Sequence, residues 1–171
     1  MSITLSAIAR TQLDQVYRAL DIILEKATTY AETAGVDEAV LVNWRLSPDM
    51  LPLIRQVQLV SDFTVRGLSR LAGVDPVSLP DEETSLSDLR ARIDKARAAV
   101  WALDEGAISA DPSADITFPA GKDRTMTLSR QAYLQNFILT NALFYASTAY
   151  AILRSVGIEL GKADIMGLRQ N

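Results

Sequence analysis

Apolar residues in the first part of the chain recur every three or four positions. Leu5, Ile8, Val16, Leu20, Ile23, Leu24 and Ala27, with Tyr17 beside them, follow this spacing. It gathers them on one face of a helix, predicted from about Thr4 to Ala34 and stopped by Gly35. At 1.5 Å per residue such a helix is about 45 Å long, a length suited to a bundle. A second helix is predicted from LSPDMLPLIRQVQL, residues 46–59. Ser47 suits an N-cap and Pro48 the first helical position. Asp49 faces the positive end of the dipole, and Pro52 is close enough to the start for its missing donor to matter little. This helix is expected to reach Ala72 and stop at Gly73. VDEAVLVNWR before it reads as a short helical turn ending at Trp44.

Pro76 and Pro80 mark a loop. Ser85-Leu86-Ser87-Asp88 then resembles a capping box, with Asp where Glu or Gln is usual. The third helix is expected to run to about Asp104 and end by Gly106. Its apolar stripe is Leu86, Leu89, Ile93, Ala96, Val100 and Leu103; Arg90, Arg92, Asp94, Lys95 and Arg97 are expected to face water. DITFPAGKDRTMTLS alternates about a glycine turn and predicts a β-hairpin of Asp115–Pro119 with Arg124–Leu128. The fourth helix starts at Ser129 as N-cap and runs to about Ser155, with Gly157 as its stop. The tail IELGKADIMGLRQN reads as too short for another packed element.

Two faces pose a question. Helix 2 centres its core on Met50, Leu53, Ile54, Val57, Thr64, Leu68 and Leu71, with Gln56 and Gln58 flanking it. Leu59 and Phe63 lie on its far side, which calls for cover by another segment or a second subunit. On a 100° wheel Tyr133, Phe137, Phe144 and Ala151 of helix 4 share one direction. Asn136, Thr140 and Ser147 border it on one side, and Asn141 and Thr148 on the other. Ile138, Leu139, Ala142, Ala146, Ala149 and Leu153 fill the opposite face. A helix apolar all round is covered all round. A homodimer through helix 4, perhaps with helix 2, would cover it; the hairpin and tail are the alternative. Buried amides and hydroxyls need partners, since an unpaired one costs about 1–3 kcal/mol. They either form an interhelical network or line a polar pocket. The pocket candidates are Asp49 and Gln56 from helix 2 with Asn136, Asn141, Tyr145 and Thr148 from helix 4. None of these pairs supplies a nucleophile with its base.

Composition narrows the chemistry. The 171 residues suit one domain. There is no cysteine and no histidine. That excludes disulfides, thiolate nucleophiles, zinc–thiolate sites, iron–sulfur clusters and the Ser-His-Asp triad. A metal would need carboxylate and carbonyl ligands, and no carboxylate spacing forms a metal loop. Hence no metal and no cofactor are expected. A net charge of −4 gives no electrostatic reason to bind nucleic acid. The N-terminus lacks the basic region and cleavage site of a signal peptide. Residues 131–153 are uncharged and long enough to span a bilayer, but their amides, hydroxyls and tyrosines favour a buried bundle helix. A cytoplasmic protein without a membrane span is expected. GKAD near the C-terminus is too short for a phosphate loop, and no Walker or dinucleotide motif is present.

LSPDMLPLIRQVQLVSDF (46–63), RLAGV (70–74), FPAGKDRTMT (118–127) and TAYAILRSVGIELGKADIMG (148–167) together resemble a bacterial family of unknown function, DUF1993. It lies within the DinB/YfiT-like superfamily of four-helix bundles, and the similarity covers nearly the whole chain. The wider superfamily often binds a divalent metal through three histidines, and some members are thiol-dependent transferases. That triad has no counterpart in a chain without histidine. The resemblance implies histidine in nearer relatives at the positions of Tyr145 and Ser155, a departure that puts any histidine-dependent role here in doubt. The resemblance also implies a homodimer.

The expected architecture is an all-α up-and-down four-helix bundle with a short β-hairpin between helices 3 and 4. The leading functional expectation is a metal-free, homodimeric small-ligand-binding or interaction protein with a polar pocket between helices 2 and 4. The alternatives are a histidine-independent DinB-like transferase, or a copy that keeps only the fold of an ancestral enzyme.

Overall fold

The computed structural model of the chain describes residues 3–168; residues 1–2 at the N-terminus and 169–171 of the tail lie outside the described residues. Helix α1 (Leu5–Ala34) starts where Thr4 accepts the Ala7 N–H on its side chain and ends at Gly35, whose φ of 65° favours glycine. A five-residue helix α2 (Glu38–Val42) follows, capped by Asp37.

Helix α3 (Leu53–Ala72) begins later than its two prolines suggested. Ser47 does not cap it; its hydroxyl donates to Asp49, and Met50 N–H closes a turn on the Ser47 carbonyl. The reason lies in Pro52, which disfavours helical backbone at Leu51. A helix begun at Pro48 would break there, so Pro52 becomes the N-cap.

Helix α4 (Leu86–Trp101) has the expected capping box, Ser85 and Asp88 each bonding the other's backbone. It ends three residues early. Asp104 caps a separate short helix α5 (Glu105–Ile108), so Gly106 lies inside a helical turn rather than ending one. Strands β1 (Asp115–Pro119) and β2 (Thr125–Ser129) form the antiparallel hairpin, one residue later on the second strand than expected. The last long helix has three parts: α6 (Arg130–Ala132), a π-helical segment (Tyr133–Leu139) and α7 (Thr140–Ser155).

The four long helices form the expected four-helix bundle, but not in simple up-and-down order, because the two middle long helices run parallel. Helices α1 and α3 lie across it from each other, and each packs on both α4 and α7. Tyr17 of α1 reaches across and donates to Thr64 of α3 at 2.7 Å. Burial and loss of solvation push that phenol's pKa up. Arg97 and Arg90 of α4 pair with Asp14 and Asp21 of α1, which sets those helices antiparallel. Helices α3 and α4 run parallel, so residues 73–85 return along the whole of α3. Pro76–Leu79 lie beside Asp62, Val65 and Arg66, and Asp81 and Glu83 reach Arg55 and Gln58 near the start of α3.

That returning strap corrects the reading of Arg92 as a solvent-facing residue. Its side chain is 1% exposed. It pairs with Asp62 at 2.8 Å, Glu83 at 2.9 Å and Asp81 at 3.2 Å, and donates to the Pro80 carbonyl at 2.9 Å. The tail is also corrected. Ile158 and Leu160 are buried, and Lys162–Ile165 form helix α8, whose buried Asp164 pairs with Lys26 of α1 at 2.8 Å. No helix among the described residues is long and apolar enough to cross a membrane.

Candidate functional site

The π segment decides where side chains of the last helix point. A π turn contains an additional residue relative to an α turn, and such turns cluster at functional sites. The added residue shifts the helical phase, so the shared direction read from a uniform wheel does not hold. Tyr133 is fully buried and Phe137 half-buried, whereas Phe144 is 58% exposed on the far side of the shift.

Tyr133 and Phe137 stack at 5.5 Å and meet Phe118 of β1 at 4.4 and 4.5 Å. Phe137 also meets Phe63 of α3 edge-on at 5.5 Å, and Phe63 stacks on Tyr145 at 5.6 Å. Phe63 is therefore covered within the chain. Gly67 lets the π segment approach α3: a Cβ there would lie 2.6 Å from Ile138 Cγ1.

Beside this contact lies a cavity of about 260 Å³. Leu59, Phe63, Gly67, Phe137, Tyr133 and Pro119 form its apolar side. Asp62, Arg66 and Arg70 form its charged side, and both arginines also border an open depression at Gly73–Pro76. Arg70 donates to the Tyr133 hydroxyl at 2.8 Å, and no carboxylate lies within ion-pair distance of it among the described residues. Arg66 makes one long contact of 3.6 Å with Asp62, whose other oxygen is held by Arg92. Burial raises the Tyr133 pKa, against the opposing hydrogen bond and charge of Arg70. The group is therefore a neutral hydroxyl at physiological pH.

The six residues singled out from sequence do not converge here. Asp49 is exposed in the turn before α3, and the Ser47 hydroxyl holds its carboxyl below the usual range. Gln56 is 2% exposed and donates to the Leu51 carbonyl at 2.8 Å, bracing that same turn. Asn136 is exposed; Asn141 donates to the Phe137 carbonyl and Thr148 to the Phe144 carbonyl, both within their own helix. Tyr145 touches the cavity only through Phe63. Arg66, Arg70, Tyr133 and Phe137 were missed as a group. A glycine inside α3, one residue after Arg66 and four after Phe63, was the available signal of close approach.

The three-histidine metal site common in the wider superfamily does not fit this chain. It contains no histidine, and among the described residues no three potential ligands converge on a metal position. Asp62, Asp81 and Glu83 do gather, but on the Arg92 guanidinium.

The helix packing and hairpin define a DinB-like bundle protein. A crystal structure of a DinB family member from Shewanella denitrificans superposes with a TM-score of 0.84 at 32% identity, covering 95% of this chain and 91% of that one. A family model described as a domain of unknown function, DUF1993, matches residues 5–166. The chain belongs to that family. No curated protein matches it.

Proposed function

We propose that the protein binds a small organic molecule in the cavity between α3, the π segment and β1. The observation that carries this reading is the π turn: it sets Tyr133 and Phe137 beside a glycine of α3 and leaves an aromatic-walled space there. Apolar concavities with a few convergent polar groups are the usual form of ligand sites. Binding is favoured over catalysis because the cavity offers no nucleophile with a base. The Tyr133 phenol is neutral, with its pKa pushed further up by burial, and Asp62 is already shared by two guanidinium groups.

A fragment screen by protein-observed NMR tests the reading. Hits should shift signals of Leu59, Ile138 and Phe137, and Leu59→Trp, which fills the space, should abolish those shifts. Hits that leave these residues unmoved would overturn it. The rival transferase reading predicts a stoichiometric divalent metal in protein purified without chelator.

A second reading concerns assembly. Leu46, Leu143 and Phe144 are exposed around a shallow depression that also includes Thr140, Ser147, Thr148 and Ala151. We propose that a second copy covers this face of α7, which makes the protein a homodimer.

A further inference from the structure

The cavity's two sides differ in chemistry, and that difference names a ligand class. This inference rests on the cavity being a ligand site. Its charged side carries two guanidinium groups one helical turn apart, Arg66 and Arg70. Asp62, on the same side, is engaged by Arg92 at 2.8 Å and by Arg66 at 3.6 Å. Arg92 is shared among Asp62, Glu83 and Asp81 and does not neutralise all three, but the cavity wall itself carries the two guanidinium groups of Arg66 and Arg70 against the single carboxylate of Asp62, and so is net positive. Among the described residues Arg70 bonds only the neutral Tyr133 hydroxyl, which accepts one of its five donors; Asp75 borders the adjoining depression but forms no ion pair with it. A partly buried guanidinium with free donors and no counter-ion favours an anion, and its planar fork matches a carboxylate. Across the space, Phe63 and Phe137 offer aromatic surface, and Leu59 and Pro119 offer aliphatic surface. The volume of about 260 Å³ lies below the roughly 300 Å³ at which drug-sized sites begin.

We propose that the ligand is a small aromatic monocarboxylate, its carboxylate on Arg70 and Arg66 and its ring against Phe63 and Phe137. A bare inorganic anion would leave the apolar side wet, and a neutral aromatic would leave Arg70 without a counter-ion.

Isothermal titration with phenylacetate, phenylacetamide and inorganic phosphate tests this on the full chain. Phenylacetate should bind at least tenfold more tightly than either of the others, and added sodium chloride should weaken phenylacetate but not the neutral amide. Arg70→Met should reduce phenylacetate binding to the level of the amide and leave the amide unchanged. If Arg70→Met folds poorly, Arg66→Met supplies the same comparison, because that side chain is 64% exposed. Equal binding of acid and amide, both lost in Leu59→Trp, would overturn the anion preference and keep the cavity as a ligand site. Phosphate binding as tightly as phenylacetate would overturn the aromatic part. No binding of any probe to the wild-type chain would overturn the inference together with the reading beneath it.

Discussion

At Gly67 the absence of one methyl group sets the distance between two helices. An added Cβ would sit 2.6 and 2.7 Å from Ile138 Cγ1 and Cδ1, inside any permitted contact. Gly67→Ala should therefore destabilise by about 1–3 kcal/mol through overpacking, even though alanine favours a helix interior. Ile138→Ala alone should cost about 2–5 kcal/mol as a cavity. Because both changes act on one contact, the double variant should be more stable than their sum predicts by at least about 0.5 kcal/mol. Urea denaturation of the four proteins measures this, and simple additivity would refute the contact. Asp164 gives a pH signature at the same scale. Burial acts to raise its pKa, but hydrogen bonds from Lys26 and the Gly161 N–H, with the Lys26 charge, outweigh it and lower the value. A carboxyl whose folded pKa is depressed contributes stability above its unfolded pKa of about 3.9 and loses it as pH falls through the folded value. Asp164→Asn should therefore lower Tm at neutral pH, and its deficit should shrink as acid protonates the wild-type carboxyl. A pH-independent deficit would show that the charge is not what Asp164 contributes.

Among the elements, the strap of residues 73–85 is held by one side chain. Arg92 joins α4 to Asp62 of α3 and to Leu79–Glu83 of the strap through both guanidinium ends. Removing one partner of a buried ion network leaves charge uncompensated and typically costs about 3–5 kcal/mol. Arg92→Met should approach that range. Its hydrogen exchange should speed up at residues 79–83 more than in the α1–α4 contact, whereas uniform acceleration would mean global loss of stability instead. The sequence showed the stripe of α4 but assigned Arg92 to water, because amphipathic spacing locates a helix's core face and says nothing of a loop laid over its edge. The π segment was hidden for a related reason. A fixed 100° wheel assumes an unbroken α-helix, so it aligned Phe144 with Tyr133 and Phe137, which the added residue separates. The capping box of α4, the Gly35 and Gly73 stops and the hairpin were readable because each depends on local backbone chemistry. The start of α3 was misread where two local signals competed and the second proline prevailed.

For the molecule as a whole, the bundle was legible from four apolar stripes, and the family from stretches distributed along most of the chain. The candidate site was not, since its residues come from three elements whose juxtaposition depends on one glycine and one irregular turn. Assembly is the remaining property that belongs to this scale. Phe144 and Leu143 project from α7 beside Leu46, in a region no other described segment covers. Exposed large apolar residues grouped in this way mark contact surfaces more often than scattered ones do. A stable two-fold interface needs about 1,000 Å² or more of buried surface, so most of the outer face of α7 would have to take part. Small residues Ser147 and Ala151, one and two turns beyond Phe144, leave room for the partner's ring, as a self-complementary contact requires. Phe144→Glu should cost the isolated subunit little, because the side chain is already exposed, yet it would place two carboxylates against an apolar surface in the dimer. Light scattering after size exclusion should then report a dimer for the wild-type chain at micromolar concentration and a monomer of unchanged helicity for the variant. A monomeric wild-type chain would refute self-association, and a dimer that survives the substitution would place the interface on another face.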